Sequence, residues 1–331
     1  MSKSLEELVK GSWSELTEKE RSEADFNVYL SDWLRARFEE GFPDIAKAYS
    51  TASVESERRR DEFALKLQGN WKGAYRELSS LVEYCSKIGE SSLQSEQLTG
   101  LEYVLRRGHA RSCLIAKEML LLLKNGYPDA AMSRWRAMYE VSTTMAFVIK
   151  HGEGCASRYI EHFEIDKLKA MEARNDCAEK LGYEPIQQKT IDEQTEICEK
   201  LKDKYGKEFK KDYGWARGFM KEHPSFKNIA DDVGFGHWFI HYKTSSQAVH
   251  SSYMSLLSPN ATDSMDERLL LAGQSQRGLF NPAQLLAITF TQLTCRVLKY
   301  CADFEYALDL IALNSLMETV VESLERELSG K

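Results

Sequence analysis

Residues 113–149 read CLIAKEMLLLLKNGYPDAAMSRWRAMYEVSTTMAFVI, and this stretch decides the fold. Apolar residues recur at helical spacing on both sides of Asn125-Gly126, a pair that stops a helix because glycine adopts the left-handed turn readily. Pro128 then suits the first turn of a new helix, where its missing N–H is not needed, and Asp129 lies at the positive end of the helix dipole. The spacing predicts one helix over 97–124 and a second over 128–150, closed by His151-Gly152. Two helices joined so tightly form an antiparallel hairpin. The second is apolar nearly all round, from Ala130, Ala131, Met132 and Trp135 to Phe147, Val148 and Ile149, and a helix of that kind is buried.

The helical period continues outward in both directions. Residues 4–50 carry Trp13, Leu16, Phe26, Tyr29, Leu30, Trp33, Leu34 and Phe38 as an apolar stripe, with a break expected at Gly41-Phe42-Pro43. Residues 54–88 read as one long helix, and the polar run from Ser91-Ser92 sets a soft boundary near residue 90. The expected organisation is an N-terminal helical region over 1–90 and a helical bundle over 91–331. Residues 155–181 and 186–205 read as exposed helices, 206–236 as irregular, 237–253 as a helix, 258–281 as a loop or small hairpin, and 282–328 as the last helices. Only 6 prolines and 19 glycines punctuate 331 residues, too few for the turns of a sandwich or barrel. The fold class expected is therefore all-α.

Composition narrows the function classes. Apolar residues at 43% and charged residues at 29% exclude a disordered tail or a membrane protein. The 7 cysteines include no Cys-x-x-Cys pair, so reduced thiols are expected rather than a zinc ribbon or a dithiol motif. The start, MSKSLEE, lacks the apolar run of a signal peptide, and Lys117 and Glu118 interrupt the most apolar stretch. A cytoplasmic protein without a membrane partner is expected. Phosphate-binding glycine loops, the dinucleotide fingerprint and the hydrolase elbow are all absent. His237 and His241 stand four apart, but no histidine has a glutamate three residues before it, so neither a metal nor any other cofactor is expected.

Two clusters carry chemistry. The buried helix bears Arg134, Arg136 and Glu140, and Arg136 and Glu140, four apart, share one face and can pair. A pair of that kind either fixes helix register or lines a polar cleft; if it is fully buried, breaking it costs about 3–5 kcal/mol. The second cluster lies in HWFIHYKTSSQAVHSS, residues 237–252, where Lys243, Ser246 and His250 follow one another along nearly one helix face. A cation, a hydroxyl and an imidazole so aligned suit proton transfer beside a developing phosphate charge, or else a core histidine with a solvated lysine.

The net charge of −7 argues against a general DNA coat protein and leaves room for a local RNA groove. Residues 199–221 hold Lys200, Lys202, Lys204, Lys207, Lys210, Lys211, Arg217 and Lys221 against four acids, interleaved with Tyr205, Phe209, Tyr213, Trp215 and Phe219. Arg106, Arg107, His109 and Arg111 form a second basic group. Cations can contact phosphates while aromatics stack on unpaired bases; the alternative is a solvated helix with its aromatics turned inward.

Asn-Gly-Tyr-Pro-Asp-Ala-Ala, then Arg136-Ala-Met-Tyr-Glu140, then Tyr242-Lys243 with Ser246 and Val249-His250, over about residues 95–310, resemble a bacterial all-helical domain-of-unknown-function family. Its pattern reads Arg-x-x-x-Glu followed by Tyr-Arg-x-x-Ser-x-x-Val-His. More distantly, a cation separated by six residues from a histidine on a helix is similar to the signature of HEPN domains, many of them metal-independent ribonucleases or toxins that act as dimers, often in phage defence. The resemblance implies that His250 is the motif histidine and Glu140 the assisting polar residue. Lys243 stands where the motif has arginine, and lysine lacks the bidentate fork that arginine offers a phosphate. The function expected is RNA cleavage by His250, Lys243, Glu140, Arg136 and Ser246, with RNA as partner, a homodimer, and room for a protein partner or inhibitor. A non-enzymatic helical sensor or scaffold for protein or nucleic acid is the alternative; a small-molecule enzyme using the Arg136/Glu140 cleft is a third possibility.

Overall fold

The computed structural model describes residues 5–23, 25–92, 98–249, 253–258, 260, 262, 266, 268–301 and 306–329. Among these, every regular element is a helix, and β pairing is confined to an isolated antiparallel bridge between Thr262 and Leu270. The all-α class read from the periodicity is the one observed. The chain forms two compact units, Met1–Glu62 and Phe63–Lys331.

The first unit holds α1 (Leu5–Ser14), α2 (Glu18–Glu23) and most of α3 (Phe26–Asn70). Trp13 meets Phe26 and Tyr29 edge-on at 5.1 and 4.9 Å, and the Ser12 and Tyr29 hydroxyls share a hydrogen bond of 2.7 Å. The break expected at Gly41-Phe42-Pro43 is absent, for α3 runs straight through Pro43. Proline leaves the Glu39 carbonyl without its N–H partner, but Glu39, Phe42 and Pro43 are all exposed, so water can take that place. A break occurs instead inside the stretch read as one helix. After Gly69-Asn70, two poor helix formers, Trp71 separates α3 from α4 (Lys72–Ser92).

The second unit is built on the predicted hairpin, α5 (Gly100–Lys124) and α6 (Pro128–His151). Gly126 adopts φ +77° between them, and the Tyr127 and Gly126 N–H groups donate to the Leu122 and Leu123 carbonyls at 2.9 and 3.1 Å. That is a Schellman closure, which the Asn-Gly pair encodes. Thr99 and Glu102 cap the start of α5, and the Glu153 carboxylate also accepts from the Gly100 and Leu101 N–H groups at 2.8 and 2.9 Å. Gly108 lets α6 approach, since a Cβ there would overlap the buried Met145 side chain.

Around the hairpin, α12 (Phe280–Cys301) packs on α4, α5 and α6, and α13 (Ala307–Ser329) on α4 and α12. The unit begins at Phe63, upstream of the linker read near residue 90: Leu67, Trp71, Leu78, Leu81 and Cys85 lie in one core with Leu105, Met119, Trp135, Phe147 and Phe290. Helices α7 (Glu153–Leu181) and α8 (Gln188–Tyr205) form an outer hairpin. The segment read as irregular contains two 3₁₀ turns, Lys207–Lys210 and Gly214–Phe219, followed by α9 (Phe226–Asp232). Then come α10 (Phe239–Val249), which packs on α6, and α11 (Tyr253–Leu256). Asp129 does more than face the helix dipole: it accepts from Ser258 Oγ and Asn260 Nδ2 at 3.1 and 2.6 Å, tying that segment to the hairpin. No helix among the described residues is long and apolar enough to cross a membrane.

Candidate functional site

Helix α6 is set in register by two buried side chains that find polar partners. Trp135 Nε1 donates to Thr289 Oγ1 at 2.9 Å, and the Tyr139 hydroxyl donates to the Phe235 carbonyl at 2.8 Å, just before α10 begins. Arg136 and Glu140 follow these anchors by one position each, so they are carried to the seam between α6 and α10. On α10, the Tyr242 ring packs against Phe226, Phe239 and Tyr139 at 4.7, 5.3 and 5.7 Å. That aromatic cluster fixes the face on which Tyr242 and, one turn later, Ser246 are presented.

The two clusters, about a hundred residues apart in sequence, meet here. Arg136 donates from Nε to Glu140 Oε1 at 3.2 Å, from Nη1 to Ser246 Oγ at 2.7 Å and from Nη2 to the Tyr242 hydroxyl at 2.9 Å. The Tyr242 hydroxyl donates to Glu140 Oε1 at 2.7 Å, and Ser246 Oγ donates to the Tyr242 carbonyl at 3.0 Å. The guanidinium also lies 4.5 Å over the Tyr242 ring, a cation–π contact. Burial works to lower the Arg136 pKa, and its ties to Glu140 and Tyr242 more than offset this and hold it above the ordinary value. Burial, together with the bond to Glu140, pushes the Tyr242 phenol up to about 12.

The Arg136–Glu140 pair is not sealed in the core. Its side chains keep 21% and 43% of their surface, so the fully buried pair is replaced by a half-open one. Glu140 Oε2 makes no hydrogen bond with a described residue. The cluster therefore offers one free carboxylate oxygen, two uncommitted guanidinium N–H directions and a serine hydroxyl at the surface of a rigid helix pair.

The other predicted residues fall out unevenly. Lys243 is exposed on α10, with its ammonium 5.7 Å from the Phe239 ring and no ion pair with a described residue. His250 lies outside the described residues. Arg134 is tied to Glu118 at 2.6 Å. His109 is not part of a basic patch: it is buried, Nε2 shares a hydrogen bond of 3.1 Å with Thr294 Oγ1, and burial pushes its pKa down to about 4. Arg106 and Arg107 are exposed on α5, and Arg107 stacks 4.7 Å from the Tyr103 ring.

The lysine-rich segment does not present the stacking surface its composition suggested. Phe209 and Trp215 are buried, and Tyr205, Tyr213 and Phe219 pack partly against the core. Lys200 pairs with Glu196, Lys202 and Lys210 with Glu199, Lys204 with Glu161 and Lys211 with Glu208. Arg217 donates to the backbone carbonyls of Met220, Lys221 and Glu222; Lys207 and Lys221 stay exposed. The aromatics turned inward to complete apolar packing, Phe209 against His162 of α7 and Tyr205 of α8, and Trp215 against Phe147 of α6 and Tyr159 of α7, which outweighs any stacking role.

Two residues were given no site role from sequence. Tyr242 enters there only as a motif residue of the family resemblance, and its role in bridging Arg136 and Glu140 depends on which way α10 is rolled. Tyr213 has the left-handed backbone, φ +57°, that a non-glycine residue rarely adopts. Burial raises its phenol pKa, and the charges of Glu140 and Asp212 raise it further, so it stands within electrostatic reach of the cluster. The following residue, Gly214, leaves no room for a Cβ against the Phe209 and Glu208 carbonyls, and Gly214 is the one readable signal of that tight turn.

A model of the family described as "Family of unknown function (DUF5677)" matches residues 102–268, about half of the chain, from the start of α5 past the end of α10. Both halves of the Arg136–Ser246 cluster fall inside it. No curated protein and no solved structure matches the chain.

Proposed function

Since the chain belongs to this family of unknown function (DUF5677), whose description supplies no chemistry, we propose from the site alone that the protein is a metal-independent RNA endonuclease of HEPN-like type. The observation that carries the reading is the meeting of Arg136 and Glu140 with Tyr242 and Ser246, with a carboxylate oxygen left free at the surface. In such a cleavage the ribose 2′-oxygen attacks the adjacent phosphorus and the bond to the 5′-oxygen breaks. The 2′-hydroxyl proton passes to a base, and an acid returns a proton to the leaving oxygen, giving a cyclic phosphate and a 5′-hydroxyl. His250 takes the proton-transfer role, next in sequence after the last residue of α10. Lys243, exposed and without an ion pair among the described residues, offsets charge on the phosphate. Glu140 assists through its free oxygen. Arg136, with three of its five N–H groups spent on Glu140, Ser246 and Tyr242, is a positioning residue rather than a substrate clamp.

A second reading, a non-enzymatic helical sensor or scaffold, is favoured by one observation: the same ties would hold α10 on α6 with no chemistry at all. The two separate cleanly. Purified full-length protein with EDTA should cut single-stranded RNA to cyclic-phosphate ends and spare the matching DNA. His250→Ala and Glu140→Gln should each abolish cutting. RNA bound but uncut across several substrates overturns the nuclease and leaves the scaffold; cutting that survives His250→Ala removes the assigned site. The homodimer and the defence or toxin role belong to the same proposal, and are tested by sedimentation of the protein and by growth arrest on expression.

A further inference from the structure

A cavity of about 890 Å³ opens between α5 and α7, beside the Arg136–Glu140 cluster and separate from it. Its α5 wall carries Arg107 and Arg111, one helical turn apart, and both are exposed. The same cavity contains three acids, yet none of them neutralises these arginines. Asp212 is paired with Lys169 at 3.0 Å. Glu164 accepts from Gln194 at 2.8 Å and lies 3.6 Å from Lys167. Asp166 lies 3.5 Å from the buried His162 and 4.0 Å from Lys169. Arg107 is placed over the Tyr103 ring at 4.7 Å, and Arg111 makes no hydrogen bond or ion pair with a described residue.

The aromatic lining also keeps ring surface open to solvent. Tyr103, Tyr159 and Phe163 keep 40%, 38% and 63% of their surface while lining the cavity. Aromatic surface left in water beside two guanidinium forks with no ion pair among the described residues suits a ligand with a flat ring at one end and a multiply charged oxyanion at the other. Inorganic phosphate would leave the rings unused, and an apolar ligand would leave the arginines unused. We infer that this cavity binds a nucleoside phosphate, with Arg107 and Arg111 on the phosphate and Phe163 and Tyr103 against the base. The site stands whether or not the Glu140 cluster cleaves RNA. Val141, the residue after Glu140 on α6, lines the cavity, so a bound strand would run from one site toward the other.

Two sources share this chemistry, a free mononucleotide and one nucleotide of an RNA strand. Titrating the full chain with AMP, with a single-stranded RNA dodecamer and with inorganic phosphate, followed by intrinsic tryptophan fluorescence and by anisotropy of labelled RNA, distinguishes them. Saturable binding of AMP with no gain from the longer strand identifies a small-molecule site; much tighter binding of the dodecamer identifies a strand path. In either case the Arg107→Ala/Arg111→Ala double variant should weaken binding about tenfold or more, with an unchanged melting temperature because both side chains are exposed. Phe163→Ala should weaken AMP and leave inorganic phosphate unaffected. Glu140→Gln should bind as wild type even where cleavage is lost, so failure of the nuclease reading and failure of this one are distinguishable. No saturable binding of AMP or RNA to wild type, or undiminished binding by the double variant, overturns the inference.

Discussion

Truncating Glu140 separates a stabilising ion pair from a functional carboxylate. Glu140→Ala removes the acceptor of two hydrogen bonds, from Arg136 Nε at 3.2 Å and from the Tyr242 hydroxyl at 2.7 Å. Glu140 keeps 43% of its side-chain surface and Arg136 keeps 21%, so solvent screens the charge pair and water can replace the lost acceptor. An exposed pair contributes about 0.2–1 kcal/mol and a hydrogen bond about 0.5–1.5 kcal/mol. The expected loss is therefore about 1 kcal/mol, well short of the roughly 3–5 kcal/mol for breaking a sealed pair. Arg136→Ala removes three partners and the stack on Tyr242, and should cost about 2–3 kcal/mol. Glu140→Gln keeps an acceptor oxygen, so its loss should stay within about 0.5 kcal/mol. Urea denaturation reads all three, through a midpoint that moves while the slope stays constant. The proposed function adds that Glu140→Gln loses RNA cleavage despite near-native stability. A Glu140→Ala loss of about 3 kcal/mol or more, or one exceeding that of Arg136→Ala, would refute the half-open geometry.

Three further outcomes follow from the same structure. The imidazole of His109 is held neutral, with its pKa at about 4 against 6.5, so the unfolded chain takes up a proton between those values that the folded chain refuses. This contribution is complete above pH 6.5 and is lost as pH falls to 4, about 3 kcal/mol in all; urea midpoints across that window should fall more steeply in wild type than in His109→Gln, and equal slopes would contradict the assignment. Gly89→Ala would drive a Cβ into the His109 ring, which is fastened by Thr294 at one nitrogen and by Cys113 at the other. Overpacking of about 1–3 kcal/mol should outweigh an alanine helix gain of about 1 kcal/mol, and a raised melting temperature would show that the ring has room to move. Lys243→Arg adds a phosphate fork at an exposed position that needs no repacking, so the nuclease reading expects faster RNA cleavage at unchanged stability; slower cleavage would place Lys243 away from the phosphate.

The hairpin was legible because its signals are local. Asn125-Gly126 needs a left-handed turn and Pro128 needs a free first position, and no distant contact competes with either requirement. The break expected at Pro43 failed for a related reason: the rule assumes that a freed carbonyl goes unsatisfied, and on an exposed helix it does not. The lysine-rich segment misled because composition cannot say which way an aromatic points. Phe209, packed on α7 and α8, and Trp215, packed on α6 and α7, gain more from burial than from waiting for a base, and most of their lysine neighbours then find glutamates one turn away or on the facing helix. The candidate site was half legible. Spacing put Arg136 and Glu140 on one face and Ser246 on another, but the roll of α10 that turns Tyr242 and Ser246 toward them is set by the Phe226, Phe239 and Tyr139 packing, a three-helix contact with no signature in any single stretch. The same roll leaves Lys243, one residue beyond Tyr242, in solvent.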